Sequence, residues 1–404
     1  MGRTDCTSVT GVRVDLLTRE YPPEVYGGAG VHVAELVSAL RRELRVVVRC
    51  FGLPRQEEDV YPYLVPAELV NANPSLAALG VDLQMAQDVA GADLVHSHTW
   101  YTNGAGRLAQ LLHGIPHVVT AHSLEPLRPW KAEQLGGGYR ISSRIEEEAF
   151  RTADAVIAVS DGMRRDILAA YPGIDEARVT VVHNGIDLER WRPSPDEDVV
   201  RALGIDPTRQ SVVFVGRITR QKGLPYLLQA ARELPPEVQL VLCAGAPDTP
   251  DILTEVQELV AGLQEERTGV VWLDRLLSHD ELVSVLSSAS VFVCPSIYEP
   301  LGIVNLEAMA CGVPVVGSAT GGIPEVIDDG ITGRLVPIEQ LPDGTGTPKK
   351  PRVFVSDLSA ALRDVLSDPV RARMMGQAGR ARVERDFSWG RIALRTRAVY
   401  DTLT

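Results

Sequence analysis

The sequence predicts an α/β protein of two domains, each built on a parallel sheet, and three observations carry that prediction. At 404 residues the chain exceeds what one ordinary hydrophobic core serves. Short apolar segments alternate with helical runs, and the plan is made twice, with a proline- and charge-rich stretch between the two series. Polar clusters recur directly after the strands, which puts them on one rim of each sheet, where open α/β folds bind ligands.

In chain order, residues 12–17 read as a first strand, followed by a loop that ends in Gly27-Gly28-Ala29-Gly30 and a helical run over 31–44. Strand, glycine-rich loop and helix start together expose backbone N–H groups to an anion. The spacing is not G-x-G-x-x-G, so it gives little support to a dinucleotide site, and a structural turn explains Gly27-Gly28 equally well. A strand over 46–50 and a helix over 71–90 follow. The strand at 93–96 ends in Ser97-His98-Thr99-Trp100-Tyr101, and the strand at 117–120 ends in Ala121-His122-Ser123. Strands at 155–159 and 179–182 end in Ser160-Asp161-Gly162, with Ser160 as a helix cap, and in His183-Asn184-Gly185. A lone histidine on such a rim is usually structural. Here, however, histidines stand beside Trp100, Tyr101 and a cationic loop containing Arg128, Trp130 and Lys131, a mixture that suits the apolar and hydroxyl faces of a sugar.

Residues 187–208 read as the linker between domains. They include Asp196-Glu197-Asp198, formally a metal–diphosphate spacing, but flanking prolines and the lack of a strand favour solvated linker charge. The second series opens with a strand at 211–215. Arg217 and Lys222 flank the turn into a helix beginning near Leu224, so two cations and a helix dipole can converge on one anion. A pair of solvated surface cations is the alternative. Strands at 238–243 and 269–273 and helices at 252–264 and 280–288 lead to residues 294–326. There a strand and turn precede Glu299-Pro300-Leu301-Gly302, which reads as a helix start, with Glu307 on the same helix. A strand at 313–317 and the pair Gly321-Gly322 complete the stretch. Two solvated acids on an amphipathic helix would be the ordinary explanation of this E-x7-E pattern. Residues 338–352 read as a mobile loop or insertion.

A hydrophobic fraction of 45% and a charged fraction of 23% are those of a soluble globular protein, and no window nears the roughly 18 apolar residues of a membrane span. No apolar run follows the first charge at the N-terminus, so no signal peptide is expected and residues 1–10 read as a frayed leader. The five cysteines lack metal spacing, and Cys50, Cys243 and Cys294 lie in or beside apolar strands, which favours reduced packing thiols in a cytoplasm. A net charge of −13 argues against nucleic-acid partners and stable membrane association.

Taken together, Gly27-Gly28-Ala29-Gly30, Gly216-Arg217 with Lys222-Gly223, Glu299-Pro300-Leu301-Gly302 with Glu307, and Gly321-Gly322-Ile323-Pro324-Glu325 resemble the retaining glycosyltransferases of family 4 and their glycogen synthase relatives over nearly the whole chain. The passages at 17–23 and 122–131 resemble, more narrowly, the short actinobacterial-type glucosyltransferases that make glycogen precursors. The resemblance implies a GT-B fold, two Rossmann-like domains facing a cleft. Residues 1–186, with a crossover helix over 388–404, would bind the acceptor and residues 187–387 the donor. It implies transfer of glucose, with retention, from ADP-glucose or UDP-glucose to glucose 1-phosphate, to an α-glucan end, or to both, with no cofactor and no tightly bound metal. A homodimer is one assembly it leaves open.

By the same resemblance Arg217 and Lys222 would hold the donor diphosphate, Glu307 the ribose and Glu299 the hexose. Backbone at Gly27, Gly28, Gly302, Ile303, Gly321 and Gly322 would complete the donor cradle, and His122 would bond the sugar near C6. His98, Trp100, Tyr101, Arg128, Trp130 and Lys131 are the candidate acceptor residues. Rival readings are a family 4 transferase with a glycolipid acceptor, which wants a basic amphipathic helix, a non-catalytic sugar-binding protein and a GT-B epimerase. The acidic balance speaks against the first, while the Arg217, Lys222 and E-x7-E set speaks against the others.

Overall fold

The computed structural model describes residues 11–25 and 27–404. The expected leader at 1–10, Cys6 and Tyr26 lie outside them. Seven strands form the first sheet: β1 (Arg13–Thr18), β2 (Arg45–Phe51), β3 (Val60–Tyr63), β4 (Leu94–His98), β5 (His117–Ala121), β6 (Ala155–Ala158) and β7 (Val179–Val181). Six form the second: β8 (Ser211–Arg217), β9 (Gln239–Gly245), β10 (Val270–Leu273), β11 (Val291–Cys294), β12 (Val315–Ser318) and β13 (Gly333–Val336). Their spatial orders are β3-β2-β1-β4-β5-β6-β7 and β10-β9-β8-β11-β12-β13, with parallel pairing throughout. Strands such as β9, Gln-Leu-Val-Leu-Cys-Ala-Gly, are buried along almost their whole length because helices cover both faces of a parallel sheet. Order reverses between β1 and β4 in one sheet and between β8 and β11 in the other. The loops leaving those four strands are therefore splayed apart and leave a crevice. The sequence reading lacked β3, a four-residue edge strand interrupted by Pro62.

One buried ionic network ties the edge of the first sheet. Asp15, fully buried on β1, accepts from Arg49 Nε at 2.7 Å and Arg13 Nε at 2.8 Å, and Arg49 also donates to the Asp88 carbonyl at 2.6 Å. The expected linker is not irregular throughout. Asp196 accepts from the backbone of Asp198 and Val199 and caps a short helix, Glu197–Ala202, whose Val200 is buried. The D-x-D spacing is thus a helix cap, and Asp198 faces solvent with 97% of its side chain exposed. Residues expected to form a mobile loop are seated by hydrogen bonds. Leu341 N meets Thr347 O at 2.9 Å, Gln340 Nε2 meets Ile297 O at 2.5 Å, and helix Pro351–Leu366 begins before that segment ends.

The chain crosses between the sheets twice at one place, where Ile186 N donates to Phe387 O at 2.8 Å. The last helix, Trp389–Tyr400, returns to pack on helix Gly28–Leu40 through Trp389, Ile392, Ala393 and Tyr400. This is the crossover the sequence led us to expect, and with the paired sheets it makes the architecture GT-B. Cys50, Cys243, Cys294 and Cys311 are buried, unpaired thiols. No helix among the described residues is long and apolar enough to cross a membrane. Tyr400 OH lies 2.7 Å from His96 Nδ1 in this packing. Tyr400→Phe would leave that buried nitrogen without its partner, so urea unfolding should show a loss of about 1–3 kcal/mol with an unchanged slope. An unchanged midpoint would mean the contact contributes nothing.

Candidate active site

The rim of the second sheet is built by close backbone packing. After β8 a tight turn over Arg220–Lys222 ends at Gly223, whose φ of +66° leads into helix Leu224–Ala230. A Cβ on Gly223 would stand 1.9 Å from the Pro295 carbonyl, so only glycine lets this turn lie against the loop after β11. Ile297 N donates to Gln221 O at 2.8 Å across the same contact. The result brings Lys222 Nζ to 2.7 Å from Glu299 Oε2, which also accepts from Ser296 Oγ at 3.0 Å. Burial opposes the Lys222 ammonium, but the Glu299 carboxylate beside it outweighs that effect and leaves its pKa raised. Arg217 is half exposed and pairs with the carboxylate of Asp248. In the described state, then, each of the two cations has a carboxylate partner of its own.

Glu299 does not open the helix as expected. Gly302, at φ +89°, is the residue before helix Ile303–Ala310, and Glu299 sits in the preceding turn. Glu307 lies one turn into that helix. Burial raises its pKa to about 7, against the lowering influence of Lys222 and Arg190. Gly321 presses on the same turn, since a Cβ there would lie 2.0 Å from Glu299 O, and Gly322 N donates to that oxygen at 3.0 Å. Glu299, Lys222 and the Gly321-Gly322 turn are thus gathered before the start of one short helix, with Glu307 inside it.

Glu325, which had no assigned role, joins the two domains. Its carboxylate accepts from Asp161 N and Gly162 N, each at 2.8 Å, and lies 3.0 Å from His183 Nε2. Burial works to raise its pKa, but the bond to His183 and the two backbone donors lower it overall. Ser160 caps helix Asp161–Ala170 through Met163 N, as expected, and also donates to Pro300 O at 2.6 Å. Tyr298 OH receives Leu124 N at 3.2 Å. Across the cleft, a Cβ on Gly28 would meet Ile303 Cδ1 at 3.7 Å, so the N-terminal glycine loop faces the start of helix Ile303–Ala310. Gly27 precedes the first helix, and its N–H is held by Glu20 Oε2 at 2.8 Å.

On the first sheet the strand ends collect imidazoles. His98 Nδ1 and His122 Nε2 are 2.9 Å apart, and His96 lies between Tyr400 OH and Thr120 Oγ1, 2.7 Å from each. His32, which drew no attention in the sequence, stands with its ring centroid 4.7 Å from that of His122. Its only signal was a position just after the glycine loop. Burial pushes the pKa of His32 down to about 4 and those of His96, His98 and His122 well below the ordinary value, so all are neutral imidazoles near pH 7.

The candidate acceptor residues divide. Trp100 is 2% exposed and covered by Tyr101 at a centroid distance of 4.0 Å, so it is core and offers no open platform, contrary to expectation. A tryptophan opening a helix after a strand packs inward when that helix lies on the sheet, which its sequence position alone did not disclose. Tyr101 carries the Arg19 guanidinium 4.0 Å above its ring, and Lys131 Nζ 5.7 Å away. Lys131 is largely buried, 3.4 Å from Glu125 Oε1, and burial followed by repulsion from Arg128 lowers its pKa to about 8. Arg128 donates to Ser123 Oγ at 3.1 Å. Trp130 lies in a narrow crevice with Gln134, Arg220, Asp248 and Thr249, between the domains. Arg19 lay within the passage at 17–23 with no role of its own, and Glu125 gave no signal that it would pair with Lys131.

Residues 26–190 match the family described as Glycosyltransferase Family 4, and residues 209–345 match Glycosyl transferases group 1. The chain is 54% identical over 392 residues to the alpha-maltose-1-phosphate synthase of Mycolicibacterium smegmatis, spanning 96% of this chain and 99% of that one. Sucrose-phosphate synthase from Thermosynechococcus elongatus superposes with a TM-score of 0.75 at 24% identity, covering 97% of this chain and 99% of the other. The catalytic domain of starch synthase IV from Arabidopsis thaliana, bound to ADP and acarbose, superposes with a TM-score of 0.76 at 18% identity over 98% and 99% of the two chains. These two solved structures share its fold. With the two-sheet architecture, the glycine-packed rim of the second sheet and a relative matched nearly end to end, the chain belongs to glycosyltransferase family 4 and is a hexosyltransferase.

Proposed function

We propose that the chain is a retaining α-1,4-glucosyltransferase that moves glucose from ADP-glucose or UDP-glucose to glucose 1-phosphate, giving α-maltose 1-phosphate as a glycogen precursor. The observation that carries the donor half is the Lys222–Glu299 pair at 2.7 Å, set before the start of helix Ile303–Ala310 with Gly28 opposite. The acceptor half is supported by the Mycolicibacterium relative, whose name is that of an alpha-maltose-1-phosphate synthase.

In this reading residues 187–387 hold the donor, and residues 1–186 with 388–404 hold the acceptor. Lys222 and Arg217 take the diphosphate, Arg217 exchanging Asp248 for phosphate oxygens that match its planar fork. Backbone at Gly27, Gly28, Gly302, Ile303, Gly321 and Gly322 lines the donor, and the helix start adds its dipole. Glu307 accepts from the ribose hydroxyls and Glu299 from those of the hexose. His122 bonds the sugar near C6, with His98 fixing its ring through the 2.9 Å contact. Tyr101, Trp130, Arg128, Lys131 and Arg19 bound the acceptor side. Glu299 is tied to Lys222 and Ser296, which suits a hydroxyl acceptor better than a glycosidase-type nucleophile. Retention then follows from attack on the face the diphosphate leaves, the departing phosphate oxygen taking the acceptor's proton. Four buried free thiols favour a cytoplasmic setting.

The test offers the purified chain ADP-glucose or UDP-glucose with glucose 1-phosphate or glycogen and follows nucleoside diphosphate release. The expected best acceptor is glucose 1-phosphate, with an α linkage in the product by NMR. Turnover on glycogen alone would replace the acceptor, and a β linkage would remove retention. Lys222→Ala should lower kcat about 100- to 1000-fold with circular dichroism unchanged, because a cation at the leaving group acts on the transition state. A rate within a few-fold of wild type would detach Lys222 from the chemistry.

Glu307 gives a pH signature. Its carboxyl, held near pH 7 by burial, is ionised above that value and protonated below it. The donor KM should therefore fall as pH rises from 6 to 8, by up to about tenfold, as the better hydrogen-bond acceptor forms. Glu307→Gln should flatten the profile, and a wild-type KM independent of pH would contradict the ribose assignment.

A further inference from the structure

The proposed sugar contact uses His122 and His98 and leaves a third imidazole, His32, beside them without a role. Helix Gly28–Leu40, the end of β4 and the loop after β5 each supply one, His32, His98 and His122. One ring nitrogen from each lies within 4.8 Å of the other two. No hydrogen bond of good geometry closes on Nε2 of His98 or on either nitrogen of His32, although these atoms are buried; Asn184 is the polar side chain beside His32, and its own Oδ1 is likewise left open. A buried polar atom left in that state costs about 1–3 kcal/mol, so the cluster carries unused ligand capacity. His96 lies tilted against His98 at a centroid distance of 4.2 Å and is itself held by Tyr400 and Thr120. His32 and His98 are sealed, whereas His122 is partly exposed and gives an ion its way in.

We propose that His32, His98 and His122 form a transition-metal site that takes Zn2+ through three imidazole nitrogens, with water as fourth ligand, and that its occupation inhibits glucosyl transfer. Imidazole donors select Zn2+ and its neighbours over Mg2+ or Ca2+, which seek oxygen. Three protein nitrogens and a water are an ordinary zinc set, with Zn–N of about 2.0–2.1 Å. A tetrahedral ion then asks for nitrogens about 3.3 Å apart. The 2.9 Å His98–His122 pair must open slightly, and the widest separation must close by about 1.5 Å through ring rotation. The inhibitory half rests on the proposed function, because zinc would take the His122 nitrogen that the donor sugar is proposed to meet.

The test first measures binding with no substrate present. Full-length chain, treated with EDTA and desalted, is titrated with Zn2+ against a chromophoric zinc indicator. One zinc per chain is expected, with no saturable binding of Mg2+. His32→Ala should weaken zinc binding roughly tenfold or more, and His279→Ala, a histidine of the other domain, should leave it unchanged. His32→Gln serves if the alanine variant loses its circular dichroism signal. Equal affinity in the wild type and the folded His32 variants, or no stoichiometric binding, would overturn the site. Turnover is then followed with added Zn2+. Wild type should be inhibited and recover with EDTA, while the His32 variant stays insensitive at the same zinc concentration. Inhibition that persists unchanged in that variant would overturn the link to this cluster. Tight, His32-dependent binding in a chain that turns over none of the substrates would leave the metal site standing and remove only the functional reading.

Discussion

The rim of the second sheet depends on backbone lying against backbone, with no side chain between. Gly223 sits against Pro295 O and Gly321 against Glu299 O, so the turns after β8 and β12 both press on the loop after β11. That loop is thereby held from two sides, and Glu299 has little freedom at either its carbonyl or its carboxylate. The carbonyl takes Gly322 N, and the carboxylate takes Lys222 and Ser296. A site whose polar groups are fixed before substrate arrives loses little in reorganisation when charge develops on a leaving group. The glycines are therefore part of the electrostatics of the site, because they determine how near the ammonium and the carboxylate stand.

The same economy of space governs the charges. Lys222 retains its charge in a largely buried position because Glu299 neutralises it, while burial raises the carboxyl of Glu307 towards neutrality against the weaker pull of Lys222 and Arg190. On the opposite side Lys131 repeats the pattern in weaker form. Its partner Glu125 stands at 3.4 Å, and burial and Arg128 depress the ammonium. Isolated ions this far from water would be strongly disfavoured, so each cation is found beside an acid or a substitute for one.

Closure between the domains is also made from few groups. Glu325 reaches the start of helix Asp161–Ala170, Ser160 reaches Pro300 O, and Trp130 fills the crevice beside Asp248. Helix dipole and carboxylate attract at the first of these contacts. These contacts are polar, an apolar cluster that includes Leu124, Met163, Leu301 and Ile323 runs through both domains beside them, and the two crossings of the chain lie side by side at Ile186 and Phe387. Such an arrangement suits domains that separate and return about one hinge.

Period and punctuation alone disclosed most of the architecture. Apolar strands followed by glycine or polar clusters specify two parallel sheets, and proline with charge marks the join. Arg217, Lys222, Glu299, Glu307 and the glycine pairs were legible because strand ends in such folds carry chemistry, and the family resemblance gave them roles. The partners of those residues were not legible. Asp248 lies 31 residues from Arg217 and Glu299 lies 77 from Lys222, separations that only sheet order brings to contact. The burial of Trp100, the neutralisation of Lys131 and the arrival of His32 beside His122 depend in the same way on how helices seat against a sheet. The sequence by itself determined which residues reach the rims, since that follows from periodicity along the chain. Only the tertiary structure decided which of them meet and which carry charge, since contact and desolvation are set by neighbours distant in sequence.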